Sequence, residues 1–175
     1  MESQPDIIAE LYRHSLPRLG AYAFLLTGSY SEAEELVQAA IVKVCAKPRR
    51  LTNLPQAEAY VRATIRTLHI DGLRRKVRWQ RVAPRFRPDA VVASPADALG
   101  EADAVGTAVA QLQPRVRAVI AMYYWEDLSV ADIAAAMRIA EGTVKAYLRD
   151  GRAALASLLG EDNEPERTSI MEVRP

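Results

Sequence analysis

Between Leu128 and Leu148 the chain carries two short helical patterns separated by only three residues, and few folds accommodate that spacing. Ser129 followed three residues later by Asp132 is a capping signature. Val130, Ile133, Ala134 and Met137 then recur at helical spacing, so a short helix starts at Ser129. Arg138, Ile139 and Ala140 leave room for a tight turn. Beyond it Val144, Leu148, Ala154 or Leu155, and Leu158 form a second apolar stripe. The segment reads as a helix-turn-helix. With that stripe turned inward, Glu141, Thr143, Lys145, Arg149 and Arg152 stay on the outer face, short and polar first and basic further along. Such a face suits a major groove, where residues near the start of a recognition helix read base edges and Lys or Arg hold phosphates. Two helices packed in a bundle with solvated charges would share this pattern, so the segment alone leaves both readings open.

The remainder of the chain is read as helical too. Asp6 caps a first helix with Ile7, Ile8, Leu11 and Tyr12 inward, and Pro17 opens a second that runs through Leu26. Thr27-Gly28-Ser29-Tyr30 breaks the pattern. Ser31 with Glu34 forms a further capping box, after which Leu36, Val37, Ala40, Ile41, Val44 and Cys45 carry a helix to a stop at Lys47-Pro48. Past the loop from Arg49 to Pro55, Tyr60, Val61, Thr64, Ile65, Leu68 and Leu73 mark the longest helical pattern. No stretch alternates as a strand does, so the expected class is all-α.

Half of the 175 residues are apolar, enough to bury a core, and the formal net charge is only +1. The distribution of charge, not its sum, must therefore indicate the partner. From Gly72 to Pro88 the chain holds Arg74, Arg75, Lys76, Arg78, Arg81, Arg85 and Arg87 without an acidic residue, and Trp79 and Phe86 are interleaved among them. Cations that hold a phosphate backbone beside rings that stack on bases suit an unwound strand. For Trp79, packing back onto the helices is the competing reading. Pro84, Pro88 and Pro95 then interrupt the helical pattern. These signals divide the chain into a helical domain over residues 5–82, a flexible linker over 83–100, a second helical domain over 101–159 and an acidic, disordered tail over 160–175.

Other residue types exclude more than they suggest. A lone cysteine, Cys45, cannot form an internal disulfide, and its place on an apolar stripe reads as a small core residue in a reducing compartment. The opening Met1-Glu2-Ser3-Gln4-Pro5-Asp6 is unlike a signal peptide, and no apolar run is long enough to span a bilayer, so a cytoplasmic location is expected. His14 and His69 are isolated in sequence, which suggests neither a metal site nor a catalytic base. His69 is left between touching DNA and facing solvent. With no phosphate-cradling glycine loop, no paired cysteines and no nucleophile elbow, neither an enzyme nor a cofactor is expected. Asp71 reads as an ion-pair partner of Arg74 or Arg75 one turn away. Tyr123, Tyr124 and Trp125 read as core, and Arg115 and Arg117 as phosphate anchors or merely exposed.

Several motifs resemble those of a known family. Leu112-Gln113-Pro114-Arg115-Val116-Arg117-Ala118-Val119-Ile120, then Tyr124-Trp125-Glu126-Asp127-Leu128-Ser129, then Glu141-Gly142-Thr143-Val144-Lys145 are similar to the minus-thirty-five-reading domain of the extracytoplasmic-function sigma factors of bacterial RNA polymerase. Leu25-Leu26-Thr27-Gly28-Ser29, Ala33-Glu34-Glu35-Leu36-Val37-Gln38, Ala59-Tyr60-Val61-Arg62 and Ile70-Asp71-Gly72-Leu73-Arg74-Arg75 resemble that family's minus-ten-reading domain, in order and in spacing. Two weak motifs in the right order are more specific than either alone.

The resemblance implies a dissociable promoter-specificity subunit. Its partners would be the beta and beta-prime subunits of core RNA polymerase, promoter DNA and an anti-sigma factor. Glu34, Glu35, Gln38 and Ile41 would face the polymerase clamp. Arg49, Arg50, Thr52 and Asn53 would capture a base flipped from the minus-ten element, since compact hydrogen-bonding groups beside cations can hold such a base. Arg66, Thr67, His69, Arg74 and Arg75 would guide the unwound strand, with Arg78 and Trp79 beyond them. Arg115, Glu141, Thr143, Lys145, Arg149 and Arg152 would meet the minus-thirty-five duplex. About twenty linker residues at roughly 3.3 Å each reach on the order of 65 Å, and the two promoter elements lie about 55 Å apart at roughly 3.4 Å per base pair.

The chain departs from the family pattern at Ala39, Thr67, Ala140, Ala146, Tyr147 and Asp150. Ala140 stands where Ser usually caps the recognition helix, a loss of about 1 kcal/mol. Asp150 stands where Arg is frequent and would repel a phosphate. Two other functions stay open on sequence grounds: a stand-alone helix-turn-helix regulator, and a sigma-like adaptor that binds proteins. The first leaves the minus-ten-like domain unused, and the second leaves the uncompensated cations unexplained.

Overall fold

Prolines and capping residues set most of the boundaries in the computed structural model, which describes residues 4–46, 51–82 and 104–160. Among these residues there are eight helices and no strand: α1 (Gln4–His14), α2 (Leu16–Thr27), α3 (Tyr30–Cys45), α4 (Leu54–Val82), α5 (Ala104–Gln111), α6 (Pro114–Tyr124), α7 (Val130–Met137) and α8 (Glu141–Gly160). Pro17 and Pro114 occupy the first turns of α2 and α6, where a missing N–H leaves no bond unmade. Ser129 caps α7 as its spacing predicts, its side chain accepting from the Asp132 N–H. No helix of the described residues is long and apolar enough to cross a membrane.

Two helix starts differ from expectation. Gly28 ends α2 in the left-handed conformation (φ 70°) and returns its N–H to the Phe24 carbonyl. That turn delivers the chain extended at Ser29, so Ser29 rather than Ser31 caps α3, accepting from the Glu32 N–H. α1 begins at Gln4, which places Asp6 inside its first turn, where a carboxylate favours the helix dipole without being the cap.

The N-terminal half gathers α1 to α4 around Ile7, Leu11, Leu19, Leu26, Val37, Ile41, Val61 and Ile65, all buried. The C-terminal half gathers α5 to α8 around Val109, Val119, Ile120, Met122, Ile133, Val144 and Leu148. Each such side chain stabilises the fold by roughly 1.5–3 kcal/mol on burial. Gly151 lets α8 lie close on α6, because a Cβ there would sit 2.7 Å from Ile120 Cγ1. Cys45 is exposed, contrary to its expected core position. The buried stripe of α3 ends at Val44, and the next residue along a helix is rotated away from that stripe.

Helical periodicity announces no interface between the halves, yet they are packed together. α2 lies against α5 and α6, α4 touches α7, and one hydrophobic cluster runs through both halves. The linker expected at 83–100 and the tail beyond Gly160 lie outside the described residues.

Arg117 is the largest departure from the reading as an anchor or an exposed cation. It is 7% exposed. Its Nε donates to the Leu26 carbonyl at 3.0 Å, Nη2 to the Thr27 carbonyl, and Nη1 to the Ala110 carbonyl at 2.7 Å and to that of Leu112 at 3.3 Å. A single side chain thus ties the last turn of α2 to the turn between α5 and α6.

Candidate nucleic-acid interface

α4 is the spine of the first candidate surface. Asn53 and Thr52 fasten its start. The Gln56 N–H donates to Asn53 Oδ1 at 2.9 Å, and Thr52 donates to Gln56 Oε1 through its own N–H (2.9 Å) and hydroxyl (2.8 Å). These two exposed residues therefore have a capping role whatever base they meet. Arg49 and Arg50, nominated beside them, lie outside the described residues.

Farther along α4 the nominated residues separate into two groups. Arg66 forms an ion pair with Glu126 of the other half, and Arg74 pairs with Asp71 at 3.3 Å while donating to the Ala136 carbonyl at the end of α7. Both are turned toward the C-terminal half instead of lying open for a strand. Asp71 has the ion-pair role expected of it. Arg75, Arg78 and Trp79 are exposed, and Trp79 at 73% does not pack back on the described helices. Lys76 lies 4.0 Å from Glu32. Thr67 is exposed, its hydroxyl donating to the Ala63 carbonyl at 2.8 Å.

His69 is half-buried, not open to solvent. Its Nε2 is buried with no hydrogen-bond partner among the described residues. Burial, reinforced by the positive charges of Arg117 and Lys76, pulls its pKa down to about 4. It is therefore a neutral imidazole near neutral pH, and its buried ring nitrogen is a poor candidate for a direct contact with the strand.

The second candidate surface is the outer side of α8. Glu141, Lys145 and Arg149 are exposed there, Thr143 is half-buried, and the packing of the halves does not cover this face. Arg149 is held by Asp150 at 2.9 Å, which supplies the countercharge a phosphate would otherwise provide. Arg152 donates from Nε to the Tyr124 hydroxyl at 2.8 Å and stands 5.6 and 5.8 Å from the ring centres of Tyr123 and Tyr124. It belongs to an aromatic platform on α6 and is a weaker candidate for a phosphate than its place in the sequence suggests. Arg115 is half-buried on α6.

Tyr124 and Trp125, expected in the core, are 52% and 46% exposed. α6 ends at Tyr124, so these rings overhang its last turn. Together with Val105, Val109, Ile120 and Leu155 they line an open apolar groove of about 400 Å³.

A third surface is the outer side of α3. Glu34, Glu35 and Gln38 are exposed, with Gln38 Nε2 donating to Glu34 Oε1 at 3.2 Å. Ile41, nominated with them, is buried at 5% exposure. It follows Val37 and Ala40 on the inward stripe and is withdrawn from that face.

The residues that sequence reasoning missed are those that join the halves. Glu126, whose side chain is 8% exposed, accepts from the Tyr22 hydroxyl and from Arg66 Nη1, which makes it the shared acceptor for α2 and α4. Burial and then the Glu126 carboxylate push the Tyr22 hydroxyl far above the ordinary phenol range, so it stays a donor. Neither Tyr22 nor Glu126 has a local sequence signal for this role.

Comparison with known proteins matches residues 11–80 to the family described as Sigma-70 region 2 and residues 102–155 to Sigma-70, region 4. The chain is 32% identical over 169 residues to the ECF RNA polymerase sigma factor SigL of Mycobacterium tuberculosis, covering 91% of this chain and 92% of that one. It is 26% identical over 124 residues to the RNA polymerase sigma-E factor of Streptomyces antibioticus, covering 71% of this chain and 68% of that one. Among solved structures it resembles the sigma factor RpoE of Bartonella quintana, crystallised with the anti-sigma factor NepR. That match has a TM-score of 0.55 and 28% identity, and covers 89% of this chain and 97% of that one.

Proposed function

The chain belongs to the extracytoplasmic-function sigma factors of bacterial RNA polymerase, and on that premise we propose how its surfaces divide the work. The protein binds core RNA polymerase and promoter DNA and directs transcription initiation; the bond-making chemistry belongs to the polymerase, in the cytoplasm. The outer side of α3, with Glu34, Glu35 and Gln38, meets the polymerase clamp, and the apolar groove beside Tyr124 and Trp125 receives an apolar element of the beta subunit. Arg75, Arg78 and Trp79 receive the unwound minus-ten strand: the guanidinium groups hold phosphates and the indole offers a stacking face. Arg66 and Arg74 join them once released from Glu126 and Ala136. Glu141, Thr143, Lys145 and Arg149 meet the minus-thirty-five duplex. An anti-sigma protein is a natural partner by analogy with the Bartonella relative.

The observation that carries this division is the exposure of Arg75, Arg78 and Trp79 together at one end of α4. A regulator that reads duplex DNA alone has no use for an uncovered indole among cations. Reconstituted transcription with core enzyme on a genomic fragment library tests the reading. Transcripts sharing one two-part upstream sequence are expected. No initiation on any fragment, with tight duplex binding by the isolated protein, would turn the assignment to a stand-alone regulator.

A further inference from the structure

Apolar side chains exposed singly are ordinary, but several gathered in one concavity mark a surface that something covers. Val105, Tyr124 and Trp125 are 43%, 52% and 46% exposed, and all three line the groove of about 400 Å³. Buried Val109 and Ile120 form its floor, and Leu155 of α8 completes it. At its rim the guanidinium of Arg152, three residues before Leu155, rests against the neutral hydroxyl of Tyr124 and the rings of Tyr123 and Tyr124. The groove is apolar within and cationic at one edge. It suits a short segment that carries large apolar residues beside a carboxylate.

The chain has such a segment close by. α8 ends at Gly160, five residues past Leu155, a rise of roughly 7.5 Å. Beyond Gly160 the large apolar residues are Ile170, Met171 and Val173, with Glu172 between the last two. The intervening stretch holds Glu161, Asp162, Glu164 and Glu166, which have no affinity for an apolar lining. From Glu161 to Ser169 the backbone reaches up to about 30 Å at roughly 3.3 Å per residue, more than the return to Leu155 requires.

We propose that Ile170, Met171 and Val173 of the same chain fill this groove, with Glu172 on Arg152, and that they compete there with the apolar element of the beta subunit. The competition, though not the docking, rests on the assignment of the groove to that subunit made above. A tether this short presents its end at an effective concentration on the order of millimolar. A contact too weak to hold a separate peptide or a second copy in dilute solution therefore fills the groove within one chain. A groove filled about nine-tenths of the time lowers the apparent affinity of the competing element about ten-fold.

The test uses the full-length protein, methyl-labelled, with Cys45→Ser to remove the native exposed thiol and a nitroxide on Thr168→Cys. In dilute protein the nitroxide should broaden the methyl resonances of Val105, Val109 and Leu155, relative to the same sample reduced with ascorbate. Ile170→Asp combined with Met171→Asp should abolish the broadening. Both substitutions lie beyond α8, and circular dichroism should not change. In the otherwise native chain the same pair should tighten binding to core polymerase by roughly three- to ten-fold.

No broadening of these methyls, or broadening that survives the double substitution, overturns the docking. Broadening that grows with protein concentration assigns the groove to the tail of a second copy and overturns the intramolecular form. If the double substitution abolishes broadening but leaves polymerase affinity unchanged, the docked segment stands and the assignment of the groove to the beta subunit fails.

Discussion

The guanidinium of Arg117 lies where a side chain at Gly28 would begin: a Cβ built on Gly28 would sit 2.7 Å from Arg117 Cζ and 3.2 Å from the Ala110 carbonyl oxygen. Gly28 also has φ 70°, which other residues adopt at a cost. One glycine therefore both ends α2 and admits the cation that closes over its last carbonyls. The arrangement uses the negative end of a helix dipole as one wall of an arginine site.

Gly28→Ala should destabilise the protein by about 2 kcal/mol or more, from left-handed strain and displacement of Arg117. For a chain of this size that corresponds to a melting shift of about 4–8 °C. Arg117→Met should act on the same site, so the double variant should lose less than the sum of the two. Full additivity in thermal or urea unfolding would show that the two residues are not coupled.

The recognition helix has a correctable start. Ala140 has no side-chain acceptor, although the N–H groups of Thr143 and Val144 both return to its carbonyl. Ala140→Ser should stabilise by about 1 kcal/mol. Arg138, left-handed at φ 54°, closes the preceding turn, and Arg138→Gly should relieve about 1 kcal/mol of backbone strain there. Neither change touches the outer residues Lys145 and Arg149. Urea midpoints should therefore rise while the salt dependence of upstream-duplex binding stays fixed, and unchanged midpoints would count against this geometry.

The local half of the fold was readable because its causes are local. Ser129 and Asp132 lie three residues apart, Pro17 and Pro114 fix φ, and the stripe through Val144 and Leu148 needs only helical period. The same logic misplaced Ser31 by two residues, since the left-handed turn at Gly28 that decides the cap precedes the pattern being scanned. It also misjudged Cys45, Tyr124 and Trp125, which lie at helix ends where a stripe extrapolates poorly. The interface between the halves was invisible for a different reason. Tyr22 with Glu126, Arg66 with Glu126 and Arg117 with Leu26 are pairs remote in sequence, and a buried arginine has the same letter as a phosphate anchor. So the outer side of α8 was located from sequence, while the present engagement of Arg66 and Arg74 was not.

Asp150 should weaken the upstream-element surface, because it neutralises Arg149 at 2.9 Å and its negative charge would repel a phosphate. Asp150→Asn should raise duplex affinity with little preference for sequence, since the gain is in backbone contact. It should also steepen the salt dependence of binding by about one unit of log–log slope. Arg149→Ala should remove that gain when combined with it. Equal affinity and slope for wild type and Asp150→Asn would take Arg149 out of the interface.

His69 makes stability depend on acidity in a predictable direction. In the unfolded chain it binds a proton near its ordinary pKa of 6.5, but in the folded chain only near about 4. Between those values the unfolded state holds more protons, so stability falls as pH drops through that window. The loss is complete below the folded pKa and absent above the unfolded one. The full penalty is about 3 kcal/mol. Burial is its main cause, with the cations Arg117 and Lys76 adding to it. His69→Gln should remove this share of the acid sensitivity while leaving that of the carboxylates common to both proteins. The stability difference between wild type and His69→Gln, measured by urea unfolding near pH 7 and again near pH 5, should therefore move in favour of the variant at the lower pH. A difference that stays constant across the window would mean that His69 titrates alike in both states and is not held as a buried neutral imidazole in the folded chain.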